Sequence, residues 1–545
     1  MRPSMITVSS VLLACTPLVG LAQTPDPAAV PLYDNLGDLS YPISTDSDTA
    51  QRYFDQGLRW TYGFNHSEAQ LAFQAAQHHD PDCAMCYWGE ALVLGPNINA
   101  PMPPEAVTPA VEAAQKAQDL ANDVGEVEKA LIEALGKRYV ADPEAERAPL
   151  DAAYADAMVR VHEQFPEDQT VAVLPAEAIM DLSPWDYWEA DGVTPKGRIG
   201  EAIDTVESVL AENPDHPQAI HLYIHLTEAS ANPERAEPYA DRLGDLMPGA
   251  GHLVHMPSHT YYRLGRFQDS VSANIDASAA DEQYLASAQA PGPMYNFGYY
   301  PHNLHFVVTS SQMIGDAETA LSYADRLHAS IPDEVAKEVG MAQPMKAGSY
   351  YAYAQLGEPS RVLAMAQPSD ELPFLQGVWH YARGMARVKL EELEEARRES
   401  AKLADITSNT DFTALEQWMV PAGKILRTAR HVLEGNIAMA DNDPAKAVEE
   451  FRVAEQIQDS MAYMEPPYWY YPVGQSAGAA LLADDKPAQA MAAFEASLEK
   501  QPNNGWALYG LARAREALGD TEGAAEADAR FRENWAGAAL DLGRL

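Results

Sequence analysis

Residues 50–81 read Ala-Gln-Arg-Tyr-Phe-Asp-Gln-Gly-Leu-Arg-Trp-Thr-Tyr-Gly-Phe-Asn-His-Ser-Glu-Ala-Gln-Leu-Ala-Phe-Gln-Ala-Ala-Gln-His-His-Asp-Pro. Tyr53, Gly57 and Trp60 recur at helical spacing, and so do Ala69, Phe73 and Ala76, before Pro81. The pattern describes two antiparallel helices. Small alanines let the helices approach, a large aromatic fills the gap between them, and proline ends the second. The frame returns down the chain. Ala202, Val206, Val209 and Pro214 occupy the second-helix slots, and Ala236, Ala240, Leu243 and Pro248 follow 34 residues later. Ala320, Ala324, Leu327 and Pro332 repeat it after an insertion. Ala447, Phe451 and Ala454, then Ala490, Phe494, Ser497 and Pro502, then Ala524 and Phe531 continue it.

These residues and their spacing resemble the tetratricopeptide repeat (TPR). The resemblance implies an all-α fold, a right-handed superhelical solenoid of about 10–12 helix pairs. No alternating strand pattern of useful length competes with it. The frame is strong in the first unit, in 200–334 and in 428–538, and weak in 100–195. It is broken by Pro- and aromatic-rich inserts at 183–197, 285–301 and 465–472. Such inserts serve as lids over a groove or as plugs between imperfectly stacked repeats, and both readings stay open.

The 545 residues include 80 acidic and 37 basic ones, a formal charge of −43. That sign excludes a nucleic-acid partner, whose phosphates need basic surface. Spread over the outer faces of a solenoid, it favours solubility and a monomer. The chain starts with Met1-Arg2, an apolar run from Ile6 to Ala14 and then small residues, the pattern of a secretory signal. Cutting after Ala22 fits Gly20-Leu21-Ala22; the alternative, Leu12-Leu13-Ala14-Cys15, resembles a bacterial lipobox and would put a lipid anchor on Cys15. Either way the expected location is periplasmic or otherwise extracytoplasmic. No second run is long enough for a transmembrane span. The expected organisation is a signal peptide at 1–22, a linker at 23–45, N-terminal repeats with a Cys-x-x-Cys at 46–200, central repeats with a His-rich groove at 201–340, and C-terminal repeats at 341–545.

Seven of the 15 histidines fall between residues 221 and 305. His221 and His225 are four apart and share a helix face, and His255 and His259 repeat the pair 34 residues later. With repeat starts at 217, 251 and 301, His221, His255 and His305 take position 5, His225 and His259 position 9, His252 and His302 position 2, and Glu228 position 12. In TPR proteins these positions of the first helix face the concave groove, so the resemblance implies a His-rich stripe on adjacent inner helices. Packed helices lie ~8–10 Å apart, within reach of a shared metal ion. The expected cofactor is a divalent transition metal, Cu, Zn or Fe, with His221, His225, His252, His255, His259, His302 and His305 as ligands and Glu228 completing or orienting the shell. Pro257 belongs in a first helical turn, which places His252 and His255 just ahead of the helix. His380 and His431 fall at position 4, a packing slot, and are read as structural.

Cys83 and Cys86 admit three readings: a local disulfide in an oxidising compartment, a metal site shared with a groove His, or a redox pair. The loop Gly95-Pro96-Asn97-Ile98-Asn99 offers amide side chains for a ligand. No His-Glu-x-x-His, Gly-x-Ser-x-Gly, phosphate-loop or dinucleotide motif occurs. Cys-Ala-Met-Cys-Tyr-Trp-Gly-Glu-Ala at 83–91, His-Leu-Tyr-Ile-His at 221–225 and His-Met-Pro-Ser-His at 255–259 together resemble a group of secreted bacterial TPR proteins. That resemblance implies fold and location and no particular reaction. Two functions follow: a metal-binding groove protein, as an enzyme a metal-dependent hydrolase or oxidoreductase acting on a small or extended substrate, or a metal-free periplasmic scaffold holding a peptide or protein partner in the groove.

Overall fold

The computed structural model describes residues 26–289, 291–540 and 542–544. The expected signal segment, its cleavage sites and Cys15 lie outside the described residues. Helices follow one another from Asp48–Tyr62 to Thr521–Asn534, and the described residues hold no strand, only two isolated bridges, Asn97 with Ala100 and Trp188 with Pro195. The fold is the all-α TPR-type superhelix that the sequence pattern implies. No helix among the described residues is long and apolar enough to cross a membrane.

Local chemistry sets each helix pair. Ser47 caps the Asp48–Tyr62 helix by accepting from the Ala50 amide, and Asn65 caps His66–His79 by accepting from Glu68. Asp316, Asp443 and Asp520 open later second helices the same way. Gly265 and Gly315 close first helices in the left-handed region, φ 72° and 73°. The repeat alanines, among them Ala69, Ala76, Ala202, Ala320, Ala447 and Ala490, are fully buried. The Phe73 ring lies directly on two glycines: a Cβ on Gly57 of its own pair would stand 2.6 Å from it, and one on Gly89 of the next helix 2.4 Å. Phe494 makes the same contact with Gly478 and Gly510, and Phe451 with Gly435.

The central repeats are enclosed from both sides. Residues 30–44, expected as a linker, run along the first pair, where Tyr53 Oη donates to the Val30 carbonyl at 2.8 Å and Gln56 Nε2 to that of Pro31 at 2.9 Å. The first pair then docks on the centre through Tyr284 Oη donating to Glu68 Oε2 (3.1 Å) and the Gly249 amide donating to the Asn35 carbonyl (2.7 Å). The last repeats return from the other side. Trp506 Nε1 donates to the Gln312 carbonyl at 2.7 Å, and the Ala536 amide to that of Ile314 at 2.9 Å.

The inserts settle into this interior. Tyr295 and Tyr299 are buried, in one π-helical turn that leads into the Tyr300–Ile314 helix. Trp469 and Tyr470 are wedged between Tyr351 and Tyr381. The Trp188 indole donates to the Leu226 carbonyl at 2.8 Å. These aromatics pack as plugs, and two of the inserts also wall the site described next.

Candidate metal centre

Four helical segments carry the histidines: Pro217–Glu228, Gly251–His255, Pro257–Leu264 and Tyr300–Ile314. The expectation that Pro257 leaves His252 and His255 ahead of a helix is corrected. Both sit in the Gly251–His255 turn, and Met256 keeps right-handed helical angles (φ −51°, ψ −38°) into the next segment. The proline starts that segment, where its missing N–H costs little, so the His255/His259 spacing survives across it.

The side chains gather into two sets of three. Ligand nitrogens of His221, His225 and His252 lie within 4.8 Å of one another, and so do those of His255, His259 and His302. All but His302 are almost completely buried. The inner face is therefore not an open groove at this point. Phe64, from the turn after the first helix, lies on the first set, with its ring centroid 4.4 Å from His221, 5.6 Å from His252 and 6.3 Å from His225. Phe306 takes the same place on the second set, 4.9 Å from His255 and His259 and 5.0 Å from His302. The Tyr299 ring lies tilted against His252 at 4.3 Å, and Trp185 stands edge-on to His225 at 5.0 Å.

Hydrogen bonds fix the tautomers. His221 Nδ1 faces the Tyr62 carbonyl at 2.8 Å. His225 Nδ1 faces Glu228 Oε1 at 2.8 Å, and His259 Nδ1 faces Oε2 of the same carboxylate at 2.6 Å. His255 Nδ1 faces Asn274 Oδ1 at 2.6 Å, and the Asn274 amide is held in that sense because its Nδ2 donates to the Ser270 carbonyl at 2.7 Å. Each partner is an acceptor, so each Nδ1 carries a proton, and in the neutral ring Nε2 then presents a lone pair. Nε2 of His221 and His225 and both ring nitrogens of His252 are buried with no hydrogen-bond partner. Nε2 of His255 and His259 face each other at 2.9 Å.

Burial, reinforced by neighbouring imidazoles, holds His221, His252, His255 and His302 well below the usual imidazole range, so these rings are neutral at neutral pH. Burial alone would raise Glu228, but His259 and His225 outweigh it and keep the carboxylate ionised. Glu228 thus belongs to neither set and clamps one histidine of each. His305 also stands outside both sets, its ring against Gly348, where a Cβ would come within 2.7 Å.

The remaining candidates fall elsewhere. Cys83 and Cys86 form a disulfide buried with Val30, Ala50 and Tyr53, and no cysteine belongs to either His set among the described residues. Asn97 spends its Oδ1 on the amides of Asn99 and Ala100, and Asn99 donates to Tyr299 Oη at 3.2 Å, so this loop braces the tyrosine over His252. His380 and His431 bond Glu399 (2.6 Å) and Glu450 (2.7 Å) of the neighbouring helix.

Fold and centre together define a TPR-type helical repeat protein with paired three-His sets in its interior. The family model of the tetratricopeptide repeat matches residues 481–527. Among solved structures the chain is similar to the human IFIT1 dimer with PPP-AAAA, at 12% identity over 83% of this chain and 90% of that one, TM-score 0.33. It is also similar to yeast Tom70 (12% identity, 91% and 93% covered, TM-score 0.30) and to the P58(IPK) TPR domain (13% identity, 87% and 99% covered, TM-score 0.21). No protein of curated function matches it in sequence.

Proposed function

We propose that this chain is an extracytoplasmic metalloprotein whose central repeats hold two transition-metal ions, one on each His set, and that it is a metal-dependent enzyme. The observation that carries the reading is the set of four Nδ1 protons tied to acceptors, which leaves Nε2 lone pairs converging in a buried space. Histidine ligands oriented by a carboxylate, an amide and a backbone carbonyl are the usual arrangement around a bound ion. All-imidazole sets suit Cu or Zn, and also Fe, over Mg, Ca or Mn. Three protein ligands per ion leave a position open, as in catalytic sites, where a metal activates water or a small molecule. The Cys83–Cys86 disulfide and the signal-like start support an oxidising compartment. A metal-free scaffold for an extended peptide needs an exposed inner face, whereas Phe64, Tyr299 and Phe306 cover the histidines.

The test is elemental analysis of the mature protein, purified without a His tag, beside a melting curve before and after EDTA. About two equivalents of Cu, Zn or Fe and a lower Tm after EDTA are expected. Absence of metal together with an unchanged Tm overturns the reading.

A further inference from the structure

Beside the His centre lies a second built site. A cavity of about 350 Å³ opens between the end of the Pro217–Glu228 helix and the segment 458–472, which runs from the end of the Pro444–Asp459 helix through the 465–472 insert. Tyr463 separates the two, its hydroxyl donating to Glu228 Oε2 at 3.2 Å. Three polar residues of the cavity wall have unused capacity. Arg263 gives its hydrogen bonds to the carbonyls of Glu228 and Ser230 and lies over the Tyr463 ring at 5.4 Å, with no ion pair among the described residues. The carboxylates of Glu465 and Glu228 act on the guanidinium through their charge, without a contact ion pair. Glu465 and Gln501 are each only 6% exposed, and Glu465 Oε2 and Gln501 Oε1 have no hydrogen-bond partner. The Gln501 amide is oriented by donating Nε2 to Tyr262 Oη at 3.3 Å. Tyr262, Tyr468 and Trp469 supply flat apolar walls.

Unpartnered buried polar atoms cost free energy, and a ligand that pairs with them recovers it. The wall offers the Arg263 guanidinium, the free oxygens of Glu465 and Gln501, and aromatic faces, while its other cation, Lys500, is already paired with Asp459. We propose that this cavity binds a free amino acid with an apolar or aromatic side chain, its carboxylate on Arg263, its ammonium on Gln501 Oε1 and Glu465, and its side chain against Trp469 and Tyr468. Burial pushes the Glu465 carboxyl up to about 8, so pairing with the ammonium releases its proton. The site stands whether or not the neighbouring histidines hold metal.

Calorimetric titration of the mature full-length chain with L-phenylalanine, 3-phenylpropionate and phenethylamine tests this. The two analogues lack the ammonium and the carboxylate, and each is expected to bind at least ~10-fold more weakly than phenylalanine, the usual effect of one charged hydrogen bond. Arg263→Gln should make phenylalanine and phenethylamine equal. Glu465→Gln, which leaves the Arg263 anchors intact, should weaken both while sparing 3-phenylpropionate, and should abolish the buffer-dependent proton release. No binding of phenylalanine up to about 10 mM, or equal binding of all three probes, overturns the proposal. Each titration is repeated after EDTA with metal content measured in the same sample. Binding that persists without metal supports a cavity site; binding that disappears with EDTA and returns with added Cu(II) or Zn(II) overturns it in favour of ligation by the His centre.

Discussion

His255 and His259 stand Nε2 to Nε2 at 2.9 Å, with both Nδ1 atoms already committed to Asn274 and Glu228. Two lone pairs at that distance repel unless a positive charge lies between or beside them. A proton shared between the two Nε2 atoms would supply that charge. A metal ion would meet the same need without a proton, and with His302 the set would offer it three nitrogens. The first set has no such contact; its Nε2 atoms are buried without any hydrogen-bond partner.

The two sets should therefore load separately. His252→Ala removes the one member of the first set with no hydrogen bond to orient it. The expected result is a fall from about two bound ions to about one, read by elemental analysis. His305→Ala, outside both sets, should keep both ions. Loss of metal on His305→Ala with retention on His252→Ala would reverse the assignment.

Glu228→Gln tests the carboxylate that joins the sets. An amide offers one acceptor and one donor where the carboxylate offers two acceptors, so it satisfies Nδ1–H of only one of His225 and His259. The other imidazole is driven to the tautomer whose Nε2 carries the proton and cannot ligate. Metal affinity should fall ~10–100-fold, more at one set than at the other. Competition titration with a chromophoric chelator measures both constants; two unchanged constants would remove Glu228 from the centre.

The register of the histidines was legible because the 34-residue frame turns residue numbers into faces, and six of the seven meet in two sets as their positions required. One supporting residue was legible in principle as well. Asn274 occupies the slot that Phe73, Phe451 and Phe494 hold in their repeats, and a polar side chain in an aromatic slot signals a buried hydrogen bond. Phe64, Tyr463 and Arg263 were not legible. Arg263 follows His259 by four residues on the same helix, but what it faces is set by Phe64 and Tyr463, which arrive from a turn and from a distant repeat; the closure of the superhelix that brings them there depends on contacts such as Trp506 with Gln312, which leave no local periodicity. Closure also explains why the groove is filled.

Acid should destabilise the metal-free protein over a defined window. Burial lowers His66 and His216 to about 4, with the charge of Arg138 adding at His66. His216 also caps a helix by accepting from the Ala219 amide, which needs an unprotonated Nδ1. Above pH ~6.5 both groups are neutral folded or unfolded. Between ~6.5 and about 4 only the unfolded chain takes the proton, so stability falls with falling pH, by up to ~1.4 kcal/mol per pH unit for each group, and the loss from these two levels off below about 4. Denaturant melts of EDTA-treated protein measure the slope. His216→Asn keeps a capping acceptor and should reduce it by one proton; an unchanged slope would show that His216 does not titrate between the states.

The contact of one phenylalanine with two glycines predicts how the repeats respond to a single methyl group. A Cβ on Gly510 would lie 2.2 Å from the Phe494 ring, which also lies on Gly478. The ring is fully buried, so it has no room to retreat and the helices must part. Gly510→Ala should therefore lower stability by ~1–3 kcal/mol despite the better helix propensity of alanine. Gly519→Ala, at a φ of 79° with no atom within 4 Å of the new methyl, gives the cost of backbone strain without the clash. Phe494→Leu alone leaves a cavity, but combined with Gly510→Ala it makes room for the methyl, so the double variant should be more stable than the sum of the singles implies, by ~0.5–3 kcal/mol. Strict additivity in denaturant melts would mean that the helix pairs are not held together through this contact.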